Sequence, residues 1–148
     1  MGSLTLPAEG VPYLDTNGFI YSVERVTPFA ALLDPLWQAL RAQSRYLITS
    51  EITLLETLVR PLQIQDQVLE ASFRAILLTA PEVRLAPITR TILTRAANVR
   101  ATTGLKNPDA LHAATALDTG CAMFITNDAS FRRITGLNVV LLSQLLTP

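Results

Sequence analysis

Val11-Pro12-Tyr13-Leu14-Asp15-Thr16-Asn17 is an apolar run that stops on an acid followed by helix-capping residues. Its first four residues read as a short buried strand, and Asp15-Thr16-Asn17 as the start of the next helix. Asp15 and Asn17 are equally good caps, and a cap at Asn17 would leave Asp15 freer for other work. A second stretch repeats the grammar: Ala122-Met123-Phe124-Ile125 is a strand, and Thr126-Asn127-Asp128 follows it. Tyr46-Leu47-Ile48-Thr49, Val83-Arg84-Leu85 and Val139-Val140-Leu141-Leu142 supply three more short strands.

Helical patterns fill the intervals. Phe29, Leu32, Leu33, Leu36, Trp37 and Leu40 recur at three- and four-residue spacing over 28–43. Ser50 is a natural N-cap for a helix reaching Arg60, which Pro61 then ends or kinks. Further helices span 66–78 and 89–103, the latter ending at Gly104. Asn107 as N-cap and Pro108 at the first helical position open the last one, which closes at Gly120. Strands alternating with helices predict a mostly parallel sheet covered on both faces. Sites in such sheets form beyond the carboxyl ends of the strands, where strand order reverses. If the first and fourth strands are neighbours there, Asp15 and Asp128 point into one crevice.

Length and composition set the limits. The 148 residues are expected to form one domain, 1–148, with a core that buries roughly two-thirds of the unfolded surface. Formal net charge is zero, which argues against a strongly basic nucleic-acid coat while allowing a local positive patch. Lys106 is the only lysine among 12 basic residues, so the remainder are arginines, suited to bidentate phosphate or carboxylate contacts. A genome rich in arginine codons explains that bias equally well. Cys121 is alone, so no internal disulfide forms, which fits a reducing cytoplasm. No apolar run has membrane-spanning length, and no secretory leader is evident at the N-terminus. The expectation is a cytoplasmic protein without a membrane partner. A mean hydropathy of +0.34 suggests a dimer or another bound partner.

Four acids stand where strands end or helices begin: Asp15, Glu56, Asp109 and Asp128. Carboxylates within about 4–6 Å raise one another's pKa unless a cation neutralises them. Hard oxygen ligands suit Mg²⁺ or Mn²⁺, and one cysteine with one histidine is too few for a typical zinc site. Such ions activate water, orient a phosphodiester and stabilise a leaving oxygen. Each acid also has a local explanation. Asp15 caps, Asp109 is a first-turn acid, Asp128 stabilises a turn, and Glu56 lies at the edge of an apolar arc. Glu51 is better assigned to the dipole of its helix. Ala110, Ala113, Ala114 and Ala116 allow close approach to the sheet and would carry Asp109 inward.

Supporting roles fall to Thr16, Asn17, Ser50, Thr126 and Asn127, which could hold carboxylates or merely cap and turn. Arg132 and Arg133, just beyond Asp128, are placed to meet a substrate phosphate. His112, one turn after Asp109, reads as a packed or hydrogen-bonded structural residue more readily than as a ligand. No glycine-rich phosphate loop, serine-histidine-acid set or dinucleotide fingerprint appears.

Taken together, Leu14-Asp15-Thr16-Asn17, Thr49 to Glu56, Pro108 to Ala116 and Phe124 to Phe131 resemble the four motifs of the PIN-domain family, specifically its short bacterial VapC-like members. The match runs over nearly the whole chain in the family's order and selects Glu56 over Glu51. The resemblance implies a three-layer α/β/α sandwich on a five-stranded parallel sheet of order 3-2-1-4-5. It also implies Mg²⁺- or Mn²⁺-dependent endoribonuclease activity on an RNA such as tRNA or rRNA, frequent homodimers, and a small antitoxin protein as partner. Asp15, Glu56, Asp109 and Asp128 would be the catalytic, metal-holding set. Gly18 stands where the family carries an aliphatic residue and is expected to loosen the first helical turn. Pro61 falls where relatives have a small or glycine-containing helix end. A non-cleaving PIN-like module that binds RNA or a partner is the alternative. A haloacid-dehalogenase-type phosphatase fits less well, because no second aspartate stands two residues after Asp15.

Overall fold

The computed structural model describes residues 2–146. Five strands, β1 (Pro12–Leu14), β2 (Leu47–Ser50), β3 (Val83–Ala86), β4 (Met123–Thr126) and β5 (Val139–Leu141), form one sheet. All pairings are parallel and the order is β3-β2-β1-β4-β5. Six α-helices connect them: α1 (Thr16–Glu24), α2 (Phe29–Ala42), α3 (Ile52–Ile64), α4 (Gln67–Leu78), α5 (Arg90–Thr103) and α6 (Asn107–Thr119). None of the described helices is long and apolar enough to cross a membrane.

Alternation along the strands divides the core into two layers. Leu14, Leu47, Val83, Met123 and Ile125 pack with Phe19, Leu33, Leu36, Trp37 and Leu77 on one face. Tyr13 and Phe124 point the other way, against Ile92, Ala96 and Val99 of α5 and the alanines of α6. Those alanines are fully or almost fully buried, so α6 lies directly on the sheet. Ridges of methyl groups allow that approach; larger side chains would hold the helix off.

Several local expectations are corrected. Asp15, not Asn17, caps α1, its Oδ1 accepting from the Gly18 N–H at 3.4 Å. Gly18 does not loosen the turn. A Cβ there would stand 2.2 Å from Leu14 Cδ1, so glycine lets α1 pack tightly onto the strand it leaves. Pro61 neither ends nor breaks its helix, because α3 runs on to Ile64. Pro61 is itself buried, and left-handed Gln65 closes the last turn by donating to the carbonyls of Leu62 and Pro61. Asn107 is not a cap. Its side-chain oxygen accepts from the Arg100 guanidinium, and Lys106 precedes the helix without a side-chain cap.

Candidate active site

The strand order decides where the acids meet. β1 is flanked by β2 and β4, so the chain leaves it in one direction and returns on the other side, which makes the carboxyl end of β1 the switch point. Leu14 pairs with Ile125, and the Asp15 N–H continues the ladder by donating to the Ile125 carbonyl at 3.2 Å. One step further, Thr126 lies beside Asp15 and its hydroxyl donates to Asp15 Oδ2 at 2.5 Å. The same Thr126 oxygen accepts the Asp128 N–H at 3.1 Å, which ties the two strand ends together.

Asp15, Glu56, Asp109 and His112 line one cavity of about 250 Å³, together with Thr16, Asn17 and Ile20. Glu56 comes from the second turn of α3, and Asp109 from the first turn of α6. Asp128 sits to one side. Its Oδ1 accepts from the Ser130 N–H and hydroxyl, capping a 3₁₀ turn over Ala129–Arg133, yet its charge still reaches Asp109.

Electrostatics record the crowding. Burial first, then the charge of Asp109, lifts the Asp15 carboxyl to about 6 against the opposing bonds from Thr126 and Gly18. Asp109 is also raised, by burial and then by Asp128. Glu56 goes the other way: burial would raise it, but hydrogen bonds from His112 and Thr16 hold it below the ordinary glutamate range. Its Oε1 accepts from Thr16 Oγ1 at 2.8 Å and lies 2.9 Å from His112 Nε2.

The supporting residues separate. Thr16 and Thr126 hold carboxylates directly. Ser50 does not: its Oγ accepts from the Ile52 N–H at the start of α3. Asn127 binds the Tyr21 hydroxyl and accepts from the Ser143 N–H, so it braces the strand end. Asn17 is exposed at the cavity rim. Arg132 donates to Gln144 and Arg133 to the Thr103 carbonyl, and neither lines the cavity. Sequence reasoning missed Tyr13 and Thr53 and ranked His112 low. His112 is 3% exposed and contacts Glu56, Thr16 and Tyr13.

Among the described residues, no three His, Cys, Asp or Glu side chains converge tightly enough to cage an ion unaided. Mg²⁺ does not need such a cage, because it keeps several waters and uses one or two carboxylates plus substrate phosphate. The cavity offers hard carboxylate, hydroxyl and amide oxygens beside one imidazole, and two of its three acids are raised in pKa, by burial first and then by neighbouring carboxylates. Asp109 makes no described hydrogen bond, and each oxygen of Asp15 uses only one of its two lone pairs. The residues therefore fit a hard divalent cation.

Fold and cavity together define an acid-centred α/β/α domain. The PIN domain family model matches residues 13–137, and the chain belongs to that family. Among solved structures, it is 26% identical to a chain of a toxin–antitoxin complex from Klebsiella pneumoniae, covering 88% of this chain and 97% of that one, with a TM-score of 0.65. It is 27% identical to a chain of VapBC-1 from nontypeable Haemophilus influenzae, covering 90% and 98%, with a TM-score of 0.61. VapBC2 from Rickettsia felis, bound to a DNA fragment from its promoter, shares the fold at 18% identity, 88% and 98% coverage and a TM-score of 0.66. No curated protein matches the chain.

Proposed function

We propose that this protein is a Mg²⁺- or Mn²⁺-dependent endoribonuclease and the toxin of a toxin–antitoxin pair. The observation that carries the reading is the meeting of Asp15, Glu56 and Asp109 around one cavity at the switch point. Membership of the PIN family and likeness to chains of toxin–antitoxin complexes support it. Asp15 and Asp109 would hold the cation, with Glu56 and Asp128 acting directly or through water. A bound divalent ion supplies Lewis acidity and activates water for attack on a phosphodiester. The chain's own groups do the rest. Thr126 fixes the Asp15 carboxylate against rotation, and His112 and Thr16 hold Glu56 below the ordinary glutamate range at the cavity. Ile20 is the one apolar side chain lining the cavity.

The test is cleavage of a total RNA pool with Mn²⁺ and with chelator. Wild-type protein should cut only with the ion, and Asp15→Asn or Asp109→Asn should lose at least about 100-fold in rate while remaining folded. Full activity in both variants would end the assignment. Mn²⁺ binding without cleavage of any RNA would instead favour the non-cleaving module.

A further inference from the structure

The chain's single histidine lines the acid cavity yet is almost wholly buried. His112 Nδ1 is 2.6 Å from the Tyr13 hydroxyl, and Nε2 is 2.9 Å from Glu56 Oε1 and 3.0 Å from Thr16 Oγ1. Tyr13 is fully buried, stacked on Phe124 with ring centroids 5.0 Å apart and planes 7° from parallel. It meets the imidazole edge-on at 82°. The phenol oxygen already accepts the Ser50 N–H at 3.1 Å. Its own hydrogen therefore needs an acceptor. Thr49, the other polar side chain beside the phenol, pairs with Thr53 at 2.9 Å. A separation of 2.6 Å suits an O–H donor and is short for an N–H donor.

These contacts fix the direction of the chain of bonds. The Tyr13 hydroxyl donates to Nδ1, which is then bare, so the proton of a neutral ring sits on Nε2 and points at Glu56. We propose that Tyr13 and His112 form a positioning relay that locks the His112 Nε2–H tautomer and, through it, the Glu56 carboxylate facing the cation site. Thr16 adds the second bond to the same Glu56 oxygen, so Oε1 is held inside the protein. Glu56 Oε2, which has no described partner, is left for the cavity. His112 touches no reacting atom and acts only through Glu56. The inference rests on the metal-site reading above, but its first measurement does not.

Ring ¹⁵N NMR of the single histidine reads the tautomer directly. In the neutral ring, wild-type protein should show a protonated Nε2 and a bare Nδ1. Tyr13→Phe keeps the ring volume but deletes the donor, so it should give averaged ring nitrogens. Mn²⁺ titration then tests the consequence. His112→Leu should weaken Mn²⁺ binding by about 10- to 100-fold, as loss of a ligand's supporting partner does. His112→Gln, whose amide N–H can reach the Nε2 position, should recover most of that loss, with thermal melts confirming both folds. A neutral wild-type ring with its proton on Nδ1 would overturn the relay. So would equal Mn²⁺ affinity in the Leu and Gln variants. A wild type that cleaves no RNA would defeat the proposed function while leaving these readouts to decide the relay.

Discussion

Replacing Asp15 with Asn should make the metal-free protein more stable at neutral pH, although it removes the central acid. Asp15 is only 6% exposed, and its carboxyl is lifted from 3.8 to about 6, with burial as the largest cause. Each pKa unit is worth about 1.4 kcal/mol, so the ionised side chain weakens the native state by about 3 kcal/mol. Proton linkage gives the sign. Between 3.8 and about 6 the native state binds more protons than the unfolded chain, so stability falls as pH rises through that window. Above the window the cost is fully present; below it, the cost vanishes. Asparagine stays neutral throughout. The Thr126 hydroxyl can accept as well as donate, so the new NH₂ can occupy the Oδ2 position while the amide oxygen keeps the Gly18 N–H. Allowing for imperfect fit, the gain is about 1–3 kcal/mol at about pH 7.5 and shrinks towards zero near pH 4. Urea unfolding with chelator across that range measures it. Adding Mn²⁺ should then raise the wild-type midpoint by mass action and leave the variant unmoved. A variant less stable than wild type at neutral pH, or a difference that ignores pH, would refute the reasoning.

Gly18→Ala places a methyl 2.2 Å from Leu14 Cδ1 and 2.5 Å from Cγ, inside the core. It should lower stability by about 1–3 kcal/mol, seen as a reduced urea midpoint at unchanged slope, and an unmoved midpoint would mean that α1 shifts freely. Thr126→Val deletes the hydroxyl that holds the Asp15 carboxyl down, so the carboxyl should rise further. Mn²⁺ binding should then need a higher pH than in the wild type, and an unchanged pH profile would show that this bond does not set Asp15's ionisation.

The sheet and Asp15 were legible because both follow from chain direction, whereas Glu56 was selected over Glu51 by the resemblance. An acid after a parallel strand lands at the carboxyl edge wherever the strand pairs, and the resemblance supplied the order that makes β1 and β4 neighbours. What lay beyond reach was contact between distant residues. Tyr13 and His112 are 99 positions apart, and nothing in either neighbourhood announces a 2.6 Å bond. His112 sits among alanines, a pattern that reads as packing, and it does pack; its polar role appears only once Glu56 arrives from α3. Caps failed for a different reason. Asp15 and Asn17 compete locally for one cap, and the role of each, like that of Asn107, is set by what else claims the side chain. Arg100 claims Asn107, and Thr126 with Gly18 fixes Asp15. Pro61 misled because a buried ring late in a helix loses one hydrogen bond but keeps its packing.

Zero net charge is a poor guide to how an acidic cavity meets a polyanion. Residues 1–86 carry nine acids against six basic residues, and residues 87–148 carry three against six. Within the first part, Arg25, Arg60 and Arg74 are spent on Asp34, Glu24 and Glu70. None of the arginines in the second part forms a described ion pair with an acid. The two halves thus differ in sign, and the cavity lies on their boundary, taking Asp15 and Glu56 from the acidic side and Asp109 from the basic one. Coulomb forces fall within a Debye length of about 8–10 Å in physiological salt, so an approaching phosphate responds to the nearest charges rather than the total. On the proposed reading, the acids repel a phosphodiester until a divalent ion reverses their sign, whereas the six basic residues of 87–148 need no ion to attract it. Ion binding thus draws acids from both halves of the chain while the surplus of basic residues lies in the second alone, and that asymmetry is what a neutral composition conceals.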